Sequence, residues 1–211
     1  MNWQPVARKD IRDAVRSGGV LALTAVFVLL FVGLTLLAVQ TGDGDFADTM
    51  GTALSAVLFI LPVVAFGVGY KAILGERRAG TLVLALALPH SRRDLVVGKF
   101  LGRAVVLSVP VVAGLALAGA LVLTAGGSAG QLAGYLGFAV LTVVYGLVFL
   151  AVALLLSMGT ASSRRATLGA VAAYFALVLA WSGLVDFLVG VLFRFQQAEV
   201  TPDWSVFLEM L

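Results

Sequence analysis

Apolar residues form long unbroken runs along most of this chain. A helix needs about 20 apolar residues to cross a bilayer. Uncharged runs of that length cover residues 18–40, 51–70, 104–124, 131–158 and 166–185, and the last could continue to residue 193. The third and fourth runs are divided at the Gly-rich stretch 125–130. Strands of membrane barrels alternate apolar and polar residues, so these continuous runs predict an all-α polytopic transmembrane helix bundle with five spans.

The composition excludes several other classes of protein. Hydrophobic residues make up 61% of the chain and charged residues 12%, against about 45–50% and 25% in soluble domains. This content is also too apolar for disorder. The absence of cysteine and the single histidine exclude thiolate and multi-histidine metal sites. The sequence therefore predicts one transmembrane domain over residues 1–211, without a metal site.

Basic residues fall in alternate segments between the predicted spans, and alternate segments lie on the same side of the membrane. Of the 14 Lys and Arg residues, all but Arg194 lie in the N-terminal arm, the segment 71–103 or the turn 159–165. Cytoplasmic loops carry an excess of Lys and Arg, which predicts a cytoplasmic N-terminus, an external C-terminus and a place in the cell membrane. The net charge of +3 is thus a difference between two faces, and the basic face is expected to meet anionic lipid rather than nucleic acid.

The arm at residues 5–17 has the pattern of an interfacial helix. Pro5 suits a first helical turn, and Val6, Ile11 and Val15 can share one face. The basic residues on the other face are predicted to anchor the arm to the lipid surface, and a docking role is compatible with this: they are Arg8, Lys9, Arg12 and Arg16.

The segment 71–103 is predicted to form two short helices joined by a turn in the cytoplasm. Pro89 ends the first helix because proline cannot continue one. Ser91 and Asp94 resemble a capping box at the start of the second, which continues into the third span. The apolar stretch 83–88 is too short to cross a bilayer, so the protein's own bundle, the lipid interface or a partner's groove must cover it.

Two strings within this segment, ERRAGTL at residues 76–82 and LPHSRRDLVVGKFLG at 88–102, resemble the signature of the type-2 permeases of ATP-binding-cassette transporters. The resemblance extends from about residue 5 to 193. It implies a coupling helix that sits in a cleft of a separate ATPase subunit. The matching residues expected to contact that subunit are Glu76, Arg77, Gly80, Thr81, Pro89, Ser91, Arg92 and Lys99.

The resemblance also implies a mode of action. ATP and Mg would be bound by the partner ATPase, this chain would bind no cofactor, and a second permease copy would complete the transporter. The second and fifth spans of each copy would line the route of a hydrophobic or amphipathic compound, with export as the expected direction. The chain lacks a Gly-x-x-x-x-Gly-Lys-Ser/Thr loop, so it is not expected to be an enzyme.

Two features leave alternatives open. Such permeases usually have six spans, whereas this chain has five followed by an outer-side tail at residues 187–211, so a chain truncated before its sixth span is favoured over a true five-span protein. Asp186 lies near the outer end of the fifth span and is a possible intramembrane polar site. An ion-coupled carrier and a non-transporting assembly or anchoring factor remain alternatives, although the scarcity of ionisable groups in the spans counts against a carrier.

Overall fold

The computed structural model describes residues 3–41, 46–70, 92–124, 129–159 and 162–193. Within these ranges the chain is helical and contains no strand. In chain order the helices are α1 (Gln4–Arg16), α2 (Gly19–Thr41), α3 (Phe46–Gly69), α4 (Arg92–Thr124), α5 (Ala129–Gly159), α6 (Ser163–Tyr174), a π-helical turn (Phe175–Leu179) and α7 (Trp181–Phe193).

The described helices confirm the predicted transmembrane bundle. Four of them, α2 to α5, are long and apolar enough to cross a membrane. A fifth span is reached if Arg164–Leu179 and Gly183–Leu192, which meet at a 58° bend, are taken as one. Many large apolar side chains lie on the bundle surface, including Leu21, Leu29 and Leu141, as is expected of helices that face lipid.

The arm and the first span are joined by a tight turn. Pro5 occupies the first turn of α1, where its missing N–H costs nothing. Gly18 has a φ of +72°, a left-handed conformation that glycine adopts without strain, and its N–H donates to the Val15 carbonyl. This turn ends α1 and lets α2 begin at Gly19 in a new direction.

Helix α4 lies at the centre of the first compact unit, which comprises residues 1–171. It packs against α1, α2 and α5, and α3 packs against α5. Glycines permit the closest approaches: Gly114 lies against Phe27 of α2, and Gly69 of α3 lies against Ala153 of α5. Small residues at such positions allow membrane helices to pack closely.

The fifth apolar run is predicted as one helix, but the structure interrupts it. The π-helical turn follows α6, and a single residue, Ala180, separates that turn from the start of α7 at Trp181. The amide of Ala180 donates to the Phe175 carbonyl, the five-residue spacing of a π-bulge. Sharp helix bends occur at π-bulges and at Gly/Ser pairs, and the pair Ser182–Gly183 stands just beyond the bulge. The apolar content of the run does not predict the π-bulge or the bend that accompanies it.

Candidate functional site

The first third of α4 forms a smooth groove that receives α1. A Cβ placed on Gly98 would lie 2.7 Å from both the Trp3 carbonyl oxygen and the Val6 Cβ. One turn further along, a Cβ on Gly102 would lie 2.8 Å from the Asp10 Cβ and 3.1 Å from the Ala7 carbonyl oxygen. Only glycine permits this approach, so the Gly98-x-x-x-Gly102 pair serves a contact within the chain. A Cβ placed on Gly134 of α5, in the similar pair Gly130-x-x-x-Gly134, would meet nothing within 4 Å.

A group of three charges, two of them buried, lies where these helices meet. The Lys99 ammonium donates to Asp10 Oδ1 at 3.0 Å, and Arg103 Nε donates to Asp10 Oδ2 at 2.6 Å. Asp10 is 6% exposed and Lys99 2%, while the Arg103 side chain is 28% exposed. These three residues are called the ion cluster below. It joins α1 to α4 through both oxygens of one carboxylate.

Arg103 extends the ion cluster to a third helix. Its Nη1 donates to the Val68 carbonyl at 3.4 Å, in the last turn of α3. Carbonyls in the last turn of a helix have no partner within that helix, and positive charge is favourable at that end. The ion cluster therefore connects α1 to the end of α3 and the start of α4, the two helices that border residues 71–91.

The charges in the ion cluster depend on one another. A buried carboxylate is costly unless it is paired and hydrogen-bonded, and both Asp10 oxygens have a cationic donor. Removing one partner of a buried pair typically costs about 3–5 kcal/mol, because the remaining charge is left without compensation. The packing of α1 on α4 thus includes a carboxylate that is held through both oxygens by cations of α4.

The face of α1 opposite the ion cluster is strongly basic. The residues predicted to anchor the arm to lipid are all exposed: Arg8, Lys9, Arg12 and Arg16. Gln4, Pro5, Arg8, Lys9 and Arg12 line an open groove of about 290 Å³. Cations around such a groove favour a phosphate or another anion at a surface. Their role as a lipid anchor stays a prediction.

Most residues predicted to contact an ATPase lie outside the described ranges: they are Glu76, Arg77, Gly80, Thr81, Pro89 and Ser91. Arg92 begins α4, and its side chain is not described. Lys99 is described, and its ammonium is buried against Asp10. In this conformation Lys99 is part of the ion cluster within the chain.

The remaining predicted site residue, Asp186, lies in α7 and is exposed. Asp186 belongs to the second compact unit, residues 172–211. Its role as an intramembrane polar site stays a prediction. Among the residues the structure describes, no group of three or more His, Asp or Glu side chains could hold a metal ion.

Sequence reasoning missed Asp10 as a site residue, although it left a signal. Asp10 follows Val6 and Ala7 at helical spacing and so lies on the packed face of α1 rather than its basic face. Lys99 and Arg103 are four residues apart and share a face of α4. An acid on an apolar stripe, together with two bases on one face elsewhere, indicates a buried ion pair, but nothing in the pattern says which helices meet.

Comparison with known proteins agrees with this architecture. The family described as "ABC-2 family transporter protein" matches residues 4–211. Proteins named "Probable ABC transporter permease protein NosY" from Pseudomonas aeruginosa and Stutzerimonas stutzeri are each 32% identical, over 213 and 215 residues. Each match covers 98% of this chain and 76% of the relative.

The chain therefore belongs to the ABC-2 transporter family. It is a multi-pass membrane permease subunit of an ABC transporter, and the family implies a non-catalytic transmembrane component. Membership implies pairing with an ATP-binding subunit. The resemblance seen in the two strings of the segment 71–103 is thus confirmed at the level of the family.

Proposed function

We propose that this permease exports a hydrophobic or amphipathic compound, using ATP that a separate subunit binds with Mg and hydrolyses. The observation that carries the proposal is the continuity of α4, which runs as one helix from Arg92 to Thr124. The segment predicted to contact the ATPase immediately precedes this helix. A displacement of that segment by the ATPase would be delivered directly to a membrane-spanning helix.

The substrate class follows from the chemistry of the spans. The described parts of α2, α3 and α5 contain no Lys, Arg or Glu, and their exposed side chains are mostly Leu, Val and Phe. Such surfaces offer dispersion contacts and little that recognises a charge. A second permease copy, with the second and fifth spans of each copy facing the other, would enclose a route of this apolar character.

The first experiment tests the partnership. The chain is co-expressed with a candidate ABC-type ATP-binding subunit, purified in detergent and reconstituted, and ATPase activity is measured with and without the permease. We expect co-purification and stimulation, and loss of both in the Glu76→Gln/Arg77→Gln variant. Arg164→Gln/Arg165→Gln, which changes two exposed bases at the start of α6, is the matched control and should stimulate normally. Full stimulation by the Glu76/Arg77 variant would contradict the proposal.

The second experiment tests direction and energy source. Inside-out vesicles that contain the complex should accumulate a fluorescent amphipathic dye when ATP is added, and right-side-out vesicles should not. Asp186→Asn should leave this transport unchanged. Uptake that is independent of ATP and abolished by Asp186→Asn would instead favour an ion-coupled carrier. A chain that binds the membrane complex and moves nothing would favour an assembly or anchoring factor.

The basic face of α1 is proposed to contact anionic lipid headgroups. Each base near an anionic surface contributes about 1 kcal/mol of attraction, and salt weakens it. We expect a higher melting temperature in phosphatidylglycerol nanodiscs than in phosphatidylcholine nanodiscs. Replacing Arg8, Lys9, Arg12 and Arg16 by Gln should remove this difference, and the Arg164→Gln/Arg165→Gln control should retain it. An equal lipid preference in both variants would show that the contact lies elsewhere.

A further inference from the structure

We propose that Asp10 is a positioning residue that makes α1 move together with the start of α4 and the end of α3 during the transport cycle. The inference deepens the proposed function and rests on it, because an ATPase partner would supply the movement. Asp10 does not contact substrate or nucleotide in this scheme. It acts by holding Lys99 and Arg103, and through Arg103 the Val68 carbonyl.

The position of the ion cluster is the first argument. Helix α3 ends at Gly69 and α4 begins at Arg92, so these two helices receive any displacement of the segment between them. Arg103 contacts the last turn of α3 and both cations contact α1 from α4. A single carboxylate thus links both borders of the segment to the N-terminal helix.

The packing around the ion cluster is the second argument. With Gly98 and Gly102 against α1, the two helices lie at a distance that leaves no room for a Cβ at either position. Close-packed helices respond to force as rigid elements. The glycines permit the close approach, and the ion cluster opposes separation of α1 from α4.

The distance between the two helices can be measured directly. The chain contains no cysteine, so spin labels attach only where cysteines are introduced. Val15→Cys on α1 and Val112→Cys on α4 replace exposed side chains. Pulsed electron–electron double resonance then measures the distance between the labels on α1 and α4 in the reconstituted complex, both at rest and trapped with ATP and vanadate.

We expect the same distance in both states for the otherwise unchanged chain. Asp10→Asn should broaden the distance distribution and lower ATPase stimulation several-fold. Asp13→Asn, an exposed acid on the same helix, is the matched control and should behave as the unchanged chain. If Asp10→Asn does not accumulate, Lys99→Met provides the test: it leaves the Asp10–Arg103 bond in place and should give smaller changes in the same direction.

Two results would overturn the proposal. One is a change of the α1–α4 distance between the two states in the unchanged chain, which would show that α1 moves independently. The other is normal stimulation and a narrow distribution in Asp10→Asn. Failure of the proposed function is recognised separately, as no stimulation by the unchanged chain. The nucleotide-free distances then still decide whether Asp10 holds α1 in place.

Discussion

Asp10 has little solvent around it, and both of its carboxylate oxygens accept hydrogen bonds from cations on α4. Asp10→Asn removes the carboxylate that accepts a hydrogen bond from the buried Lys99 ammonium, so we expect the free energy of unfolding to fall by about 3–5 kcal/mol. Lys99→Met should cost less, because Arg103 still donates to Asp10 at 2.6 Å. Both effects are measured by reversible denaturation in mixed micelles.

The double variant separates charge pairing from simple loss of packing. Asp10→Asn/Lys99→Met removes both members of the more deeply buried pair, and it should be more stable than the sum of the single effects predicts, by about 0.5–3 kcal/mol. Asp13→Asn, on the exposed side of α1, should change stability by less than about 0.5 kcal/mol. Strictly additive single effects would show that Asp10 and Lys99 do not interact.

The sequence shows which residues of the ion cluster are charged, but not which of them contact each other. The contact of Lys99 with an ATPase stays a prediction, and the structure buries its ammonium beside Asp10. Its charge was visible in the sequence, but the identity of the group facing it depends on how α1 crosses α4. That crossing is set by contacts between residues some 90 positions apart, which no local pattern records.

Between helices, the approach of α1 to α4 depends on the absence of side chains. Gly98→Ala introduces a Cβ 2.7 Å from the Trp3 carbonyl oxygen, and a backbone oxygen cannot turn aside as a flexible side chain can. We expect α1 to be displaced and the free energy of unfolding to fall by about 1–3 kcal/mol. The melting temperature in detergent, compared with that of the unchanged chain, measures the effect.

Gly134→Ala is the matched control for this prediction. Its Cβ would meet nothing within 4 Å, and alanine favours a helix interior over glycine by about 1 kcal/mol. This variant should therefore be neutral or slightly stabilising. Equal destabilisation by the two variants would mean that helix flexibility, rather than the contact with α1, sets the cost at Gly98.

The helices themselves were largely predictable because a bilayer fixes their length. The long run that begins in the cytoplasmic segment was expected to continue into the third span, and α4 does so without a break. The fifth run was expected to be equally regular, yet it contains the π-helical turn at Phe175–Leu179. Hydropathy measures how apolar a residue is, whereas a bulge depends on backbone hydrogen bonding, so the interruption could not be read from it.

For the whole molecule, the arrangement of the helices places the described basic groups at one end of the first compact unit. The ion cluster joins α1 to the end of α3 and the start of α4. The end of α3 also contacts the C-terminal half of α5, where Gly69 meets Leu150 and Ala153. Helix α6, with Arg164 and Arg165, begins shortly after α5 ends. The basic segments of the sequence that the structure describes therefore lie at the same end of this unit.

That arrangement allows the orientation to be tested with single cysteines, since the chain has none of its own. Arg12→Cys on α1 and Arg164→Cys on α6 lie in segments predicted to be cytoplasmic, and Gly130→Cys at the start of α5 lies beside a predicted outer loop. All three positions are exposed. In intact cells, a membrane-impermeant maleimide should label only the Gly130→Cys variant, and permeabilised cells should show labelling of all three. Labelling of Arg12→Cys in intact cells would show that the chain has the opposite orientation in the membrane. It would also place residues 71–91 outside, where a cytoplasmic ATPase could not reach them.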